Sequence, residues 1–272
     1  MQKDVGLGNW RHGLFAAGAA LLDLFFPPRC PGCGRVGSTF CDRCQARIEP
    51  PTAPACIRCG HPTVAEQLCP TCRETPSHLD RIASSAIFAH PLRDAIHDLK
   101  YNDGRSLARP LGARMAAAWR QGNFAADVII PVPLHTARLA ERGYNQSLLL
   151  ARIVSQQAGV PIDENTLVRA KATQQQATLK AVERRKNVED AFACRGDVTG
   201  KHVVLVDDVC TTGSTLEACA VALRAAGAAS VWAFTLARAR WEPGHAGPAP
   251  DADTGGYGKS RTSDGVSERE FA

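Results

Sequence analysis

His202-Val203-Val204-Leu205-Val206-Asp207-Asp208-Val209-Cys210-Thr211-Thr212-Gly213-Ser214-Thr215 is the stretch that decides the fold. Four consecutive apolar residues, Val203 to Val206, predict a strand buried on both faces. Asp207 and Asp208 mark its carboxyl end, where open α/β sheets bind their ligands. Four hydroxyl residues and Gly213 follow, and then the Ala/Leu-rich stretch Leu216 to Ala226, which predicts a helix stopped at Gly227. Backbone N–H groups at that helix start, with the Thr and Ser hydroxyls, form a nest suited to a monophosphate. Asp207 and Asp208 are placed to accept hydrogen bonds from two neighbouring hydroxyls of a sugar. A phosphate and a diol held by one loop describe a ribose 5-phosphate. A receiver domain also carries paired acids after an apolar strand, but it needs several more strand–helix units than the chain after Asp208 supplies. No Walker lysine motif and no G-x-G-x-x-G turn after a strand is present.

Val203 to Thr215 resembles the phosphoribosyl pyrophosphate (PRPP) loop of type I phosphoribosyltransferases. Around it lie Pro131-Val132-Pro133-Leu134, the run Glu141-Arg142-Gly143-Tyr144-Asn145-Gln146, and Thr173-x-x-Gln176-Ala177-x-Leu179 leading to Arg184-Arg185-x-Asn187. With the paired cysteines ahead of them, these motifs resemble the ComF family of competence-type phosphoribosyltransferase-like proteins, over about residues 20 to 240. The resemblance implies an α/β fold: a type I phosphoribosyltransferase-like core with a mainly parallel sheet flanked by helices, preceded by a small cysteine-rich double zinc ribbon.

Eight of the eleven cysteines form four C-x-x-C pairs, Cys30/Cys33, Cys41/Cys44, Cys56/Cys59 and Cys69/Cys72. Each pair can present two thiolates to a tetrahedral zinc, and Gly34 and Gly60 permit the tight turn after a knuckle. Eight thiolates make two closed sites with no open position for chemistry, so the zincs are expected to be structural. Neighbouring, crossed and nested pairings all satisfy the spacing. Cys194, Cys210 and Cys219 are unpaired and expected to be reduced.

The 272 residues, 44% of them hydrophobic, suit one α/β domain with a small module, and the formal charge of +5 is mild. Its distribution is uneven: Arg169 to Asn187 carries Arg169, Lys171, Lys180, Arg184, Arg185 and Lys186 against Glu183 alone. Beside a PRPP loop such a run can clamp pyrophosphate, and it would also favour nucleic acid. The division expected is 1–26 with an N-terminal amphipathic helix at Leu14 to Phe26, 27–76 a double zinc ribbon, 81–240 a phosphoribosyltransferase-like domain, and 241–272 a disordered tail. The apolar stretch after Trp10-Arg11-His12 imitates a signal peptide, but Asp23 interrupts it and it is too short to span a bilayer. Thiolate zinc sites suit a reducing compartment, so a cytoplasmic location without an integral membrane span is expected. Along the core, strands are expected at Arg81 to His90, Asp127 to Val132, Leu167 to Ala170, Ala191 to Cys194, His202 to Val206 and Ser230 to Ala237. Helices are expected at Pro91 to Lys100, Ser106 to Gln121 and Gln146 to Ala158, with a basic loop before the last.

The resemblance implies roles. Asp207 and Asp208 would hold the ribose, and Val209, Cys210, Thr211, Thr212, Gly213, Ser214 and Thr215 the 5-phosphate. Val132, Pro133 and Leu134 look like the pyrophosphate loop, with Arg138, Arg142 and Lys100 as helpers. Gln176, Arg184, Arg185 and Asn187 fall in a segment similar to the mobile loop that closes over the site. That segment departs from the usual pattern at Gln174 and Gln175, where relatives commonly have prolines, and at Thr178, commonly glycine. Magnesium would accompany PRPP. The acceptor is not legible, since Arg81 to Ala126 carry no base-recognition signature. The expected function is therefore transfer or binding of a 5-phosphoribosyl group, from PRPP or another ribose 5-phosphate compound, with a role in DNA uptake. The alternative is a non-catalytic protein of the same fold that docks single-stranded DNA or a competence-machinery protein through its ribbons; a third reading is a PRPP sensor.

The cysteine pairs predict two zinc ions in the purified protein, with metal binding supplying much of the folding energy of the N-terminal module. Elemental analysis is expected to find two per chain, and Cys30→Ser with Cys33→Ser to release about one. Absence of zinc, or disulfides after reducing preparation, would contradict this.

Overall fold

The computed structural model describes residues 27–122, 124–170 and 191–241. The expected helix at 14–26, the segment Thr173 to Asn187 and the tail beyond Trp241 lie outside them.

A four-stranded sheet in the order β1-β6-β5-β2 forms the centre, from β1 (Arg81–Ser84), β2 (Val128–Pro131), β5 (His202–Cys210) and β6 (Ser230–Arg238). Every neighbouring pair is parallel. Alternation along β5 assigns its apolar run to two separate cores. Val204 and Val206 enter the larger one with Phe234 and Leu236. Val203 and Leu205 face the other way, against Leu216, Cys219, Ala220 and Leu223 of α7 (Ser214–Ala225).

The larger core is roofed by α3 (Leu92–Tyr101), α4 (Ala108–Gln121) and α6 (Gln146–Ala158). Leu92, Ala95, Ile96 and Leu99 recur at helical spacing and are all buried. Gly112 lets α4 approach α6 closely, since a Cβ there would stand 2.7 Å from Ile153 Cδ1. On the second face, β3 (Leu167–Arg169) and β4 (Phe192–Cys194) pair antiparallel as a separate ribbon.

Several boundaries differ from expectation. The strand expected at Arg81 to His90 is regular only to Ser84, but pairing with β6 resumes in the same register at a parallel bridge between Ile87 and Arg238, where Arg238 N–H donates to the Ala86 carbonyl and Phe88 N–H to the Arg238 carbonyl. Strand β5 runs beyond the acid pair to Cys210, because Val209 and Cys210 find partners in Ala237 and Arg238. A 3₁₀ turn, Arg105–Leu107, precedes α4, which starts at Ala108. The basic loop contains a short helix, α5 (Thr136–Arg142), with no buried residue. Helix α6 has the expected limits, capped by Asn145 and closed by Gly159 at φ +70°.

The cysteine-rich segment consists of two similar units. In each, a C-x-x-C turn is followed by a five-residue helix that starts just after the third cysteine: α1 (Asp42–Ala46) after Cys41 and α2 (Pro70–Glu74) after Cys69. The first unit is continuous with the larger core through Cys30, Phe40, Cys44 and Ile48. A side chain at Gly32 would put its Cβ 2.5 Å from that of Pro91 and 3.0 Å from Cys44 Sγ. Gly32→Ala is therefore expected to cost about 1–3 kcal/mol as an overpacked contact, lowering the thermal midpoint by several degrees. Val64→Ala, at a side chain 93% exposed, serves as the control. Equal midpoints for the two variants would contradict the close docking of the first unit.

Candidate functional site

Asp207 and Asp208 stand near the carboxyl end of β5, and two helices distant in sequence, α3 and α6, converge on them. Ser147 Oγ, in the first turn of α6, donates to Asp207 Oδ1 at 2.7 Å. The same oxygen accepts the Asp208 N–H at 2.9 Å. Lys100 Nζ, in the last turn of α3, lies 3.1 Å from Asp208 Oδ1. Asp208 Oδ2 is buried and has no hydrogen-bond partner.

Asp207 does not ionise freely in this setting. Burial, and then the neighbouring Asp208 charge, push the Asp207 carboxyl up to about 7, against the opposing pull of Ser147, the Asp208 N–H and Lys100. Burial works against the Lys100 ammonium, but the two carboxylates outweigh it and raise its pKa. A half-buried lysine thus remains charged because it balances the acids.

The Glu141 to Gln146 run builds the frame around this pair. Gly143, at φ +75°, ends α5 and turns the chain into α6. Tyr144 Oη donates to the Leu99 carbonyl at 2.5 Å and so fixes the turn that carries Lys100. Asn145 Nδ2 donates to the Val132 carbonyl at 3.0 Å, while its Oδ1 accepts the Ser147 N–H at 2.9 Å. One short stretch therefore sets the positions of Lys100, Val132 and Ser147.

After β5 the loop Thr211–Gly213 leads into α7 with Gly213 at φ +75°. Thr212 Oγ1 and Ser214 Oγ are 2.8 Å apart, and Ser214 N–H donates to Thr212 Oγ1 at 3.3 Å. Residues 211–215 are half-buried, so hydroxyls and first-turn amides border solvent as an anion nest requires. Glu217, the acid of that first turn, is committed to the linker: it accepts from Ser77 Oγ at 2.6 Å and from the His78 N–H at 2.7 Å. Cys210 is buried, which pushes its thiol up to about 11. Burial likewise raises Cys219, so neither is poised as a nucleophile.

Val132 N–H donates to the Val206 carbonyl at 2.9 Å, which sets the start of Val132 to Leu134 beside the acid-bearing strand. Arg142 donates to Gln146 Oε1 at 2.5 Å, with its guanidinium 5.2 Å from the Tyr101 ring centroid. Burial and then the nearby Arg138 cation lower the pKa of Arg169, whose guanidinium stacks 5.4 Å from the Phe192 centroid. Asp207 acts on Arg169 in the opposite direction, so two guanidiniums and an acid share this neighbourhood. The sequence does not single out Ser147 as a site residue, and it offers Arg169 only as a member of the basic run. Ser147 carries no signal beyond its place after an N-cap; Arg169 opens the basic run. Gln176, Arg184, Arg185 and Asn187 lie outside the described residues.

The cysteines group as Cys30, Cys33, Cys41, Cys44 and as Cys56, Cys59, Cys69, Cys72, with all sulfurs of a group within 4.8 Å of one another. Neighbouring pairs therefore combine, and crossed pairings are excluded. Thiolates about 2.3 Å from a tetrahedral zinc stand about 3.8 Å apart. Cys33 and Cys41 sulfurs are 3.6 Å apart, and those of Cys59 and Cys69 3.7 Å, so both groups fit the metal. Burial opposes ionisation of Cys56, yet N–H donors of Cys59, Cys69 and Arg58 outweigh it and bring its thiol down to about 6. No helix among the described residues is long and apolar enough to cross a membrane.

Comparison with known proteins agrees with this architecture. Residues 21–73 match the double zinc ribbon domain model and residues 144–251 the phosphoribosyl transferase domain model. The class is thus a phosphoribosyltransferase-type α/β core, with its mainly parallel sheet flanked by helices, behind a double zinc ribbon. The chain is 36% identical over 189 residues to DNA utilization protein YhgH of Escherichia coli O157:H7, which covers 67% of this chain and 83% of that protein. It is 33% identical over 228 residues to Competence protein F of Haemophilus influenzae, with 79% of this chain and 99% of that protein covered. The chain belongs to the ComF family. Among solved structures, the B. subtilis glutamine PRPP amidotransferase complexed with ADP and GMP matches 49% of this chain and 26% of its own, at 24% identity and a TM-score of 0.33.

The Asp207 environment makes stability depend on pH. The folded carboxyl holds its proton more tightly than the unfolded one, with a pKa of about 7 against 3.8. The stability it contributes is therefore fully present below the unfolded value and is lost as pH rises through the folded one. Relative to Asp207→Asn, the protein is expected to lose stability between pH 5 and pH 8 in urea unfolding. Parallel profiles for the two proteins would contradict the buried-acid assignment.

Proposed function

We propose that this protein binds the ribose 5-phosphate part of PRPP and transfers the 5-phosphoribosyl group to an acceptor, with release of pyrophosphate. The observation that carries the reading is the unpaired, buried Asp208 Oδ2 beside an anion nest. An unsatisfied buried acceptor costs about 1–3 kcal/mol, and a ribose hydroxyl donating to it would recover that cost. Asp207 would accept from the neighbouring hydroxyl. The 5-phosphate would rest on the amides and hydroxyls of Thr211 to Thr215, with Gly213 allowing close approach.

Transfer breaks the bond from the anomeric carbon to the pyrophosphate oxygen, whose electron pair leaves with pyrophosphate. The acceptor supplies the new electron pair and loses its proton. Val132 to Leu134 with Arg138 and Arg142 would hold the departing anion, joined by Arg169 and, from the segment outside the described residues, Gln176, Arg184, Arg185 and Asn187. Magnesium takes one or two carboxylates together with ligand oxygens and water; the acid pair suits such a partner through the ribose hydroxyls, and when bound the ion would neutralise pyrophosphate charge. Lys100 keeps the acid pair balanced before ligand arrives.

The names of the relatives support a role in competence or DNA use; single-stranded DNA or a competence-machinery protein would be the partner, and a cytoplasmic place agrees with the thiolate sites. Docking through the ribbons without transfer is a second reading, favoured by Val36, Ile57 and Val64, large apolar side chains left exposed on the ribbons.

Calorimetry with PRPP and magnesium tests the site. Each charge-assisted hydrogen bond is worth about 1.5–3 kcal/mol, so Asp207→Ala with Asp208→Ala is expected to weaken binding by a factor on the order of a hundred or more. Gly213→Val is expected to weaken ribose 5-phosphate and PRPP alike by blocking the approach to phosphate. Equal affinity across wild type and both variants would refute the site, and pyrophosphate release with candidate acceptors separates transfer from binding alone.

A further inference from the structure

The two C-x-x-C-Gly turns have the same backbone but different surroundings. Gly34 and Gly60 occupy equivalent places at φ +73° and +68°. Nothing lies within 4 Å of where a Gly34 Cβ would stand, whereas the Arg238 guanidinium occupies that space at Gly60. Arg238 Nη1 donates to the carbonyl of Cys59, itself one of the four thiolates of the second group. The adjoining Arg58 carbonyl accepts the Ile82 N–H of β1 at 2.6 Å. Two successive carbonyls of the second turn are thus held by β6 and β1.

Both contacts lead to the base of the phosphate loop. Arg238 is the register partner of Cys210, the residue before Thr211, and the Ala239 N–H donates to the Cys210 carbonyl at 2.9 Å. Ile82 Cδ1 lies 3.4 Å from where a Gly213 Cβ would stand. The backbone of Arg238 is itself clamped, its N–H to Ala86 and its carbonyl to Phe88. A four-thiolate zinc site carries a net negative charge, and a guanidinium bonded to the carbonyl of one ligand residue offsets part of it. Among the described residues no guanidinium stands against the turn of the first group: the space at Gly34 is open, and at Gly32 the group abuts Pro91, ahead of α3.

We propose that Arg238 is a positioning residue that ties the second four-cysteine site to the Thr211–Gly213 loop, so that a filled second site holds the loop in its anion-binding form. The inference rests on the ribose 5-phosphate reading of that loop.

The test is ribose 5-phosphate titrated into the full chain loaded with cadmium-113, the two metal signals being assigned through couplings to their own cysteines. In wild type the ligand is expected to move the signal of the second site and leave that of the first in place. Arg238→Met is expected to shift the second signal without ligand and to weaken ribose 5-phosphate binding at least tenfold, and Arg238→Lys to restore part of the affinity. Binding by wild type with no change at the second site overturns the coupling while the site reading stands, and so does wild-type affinity in Arg238→Met. No binding by wild type overturns the reading of the loop, and the coupling with it. The wild-type titration decides the matter even where Arg238→Met does not fold.

Discussion

The contact between Lys100 and the Asp207–Asp208 pair governs the rest of this structure. Two adjacent carboxylates near a strand end, one of them only 5% exposed at its side chain, would repel each other and forfeit hydration without a compensating cation. Lys100 supplies that cation, Ser147 supplies a hydroxyl, and one carboxylate oxygen is left unsatisfied. On the reading proposed above, a ligand hydroxyl meets that acceptor. The fold places this feature next to a glycine-hinged helix start, and the proposed site combines the two.

Much of the remaining sequence serves to hold that arrangement in place. Tyr144 fixes the turn that delivers Lys100, Asn145 holds Val132, and Gly143 makes the corner that brings α6 and Ser147 to the acids. The double ribbon also braces the sheet. Its first unit adds apolar volume to the larger core, and its second is hydrogen-bonded to β1 and to the end of β6. An ion pair from Arg240 to Glu49 and the edge-on contact of Trp241 with His61, 4.5 Å between centroids, close the junction.

What was legible in the sequence was local chemistry. Val203 to Val206 reads as a doubly buried strand because no polar residue interrupts it, and the cysteine spacings name a zinc ligand set without its pairing. The glycine and hydroxyl order after the acids marks the nest. Apart from helix α5, the misses share a cause, since each depends on partners far along the chain. Helix α5 buries nothing and so leaves no apolar stripe to detect. The extension of β5 past Asp208 depends on Ala237 and Arg238, and the resumption of pairing at Ile87 depends on the same Arg238. Ser147 lies sixty residues from the acid it serves. Lys100 was singled out as a pyrophosphate helper, but its pairing with Asp208 has no sequence signature; only folding brings them together.

The most direct measurement is a crystal structure with ribose 5-phosphate bound. The account predicts a ribose hydroxyl at hydrogen-bond distance, about 2.5–3.0 Å, from Asp208 Oδ2, and the phosphate seated on the amides and hydroxyls of Thr211 to Thr215. A sugar phosphate bound elsewhere, with Asp208 Oδ2 still unpaired, would contradict it.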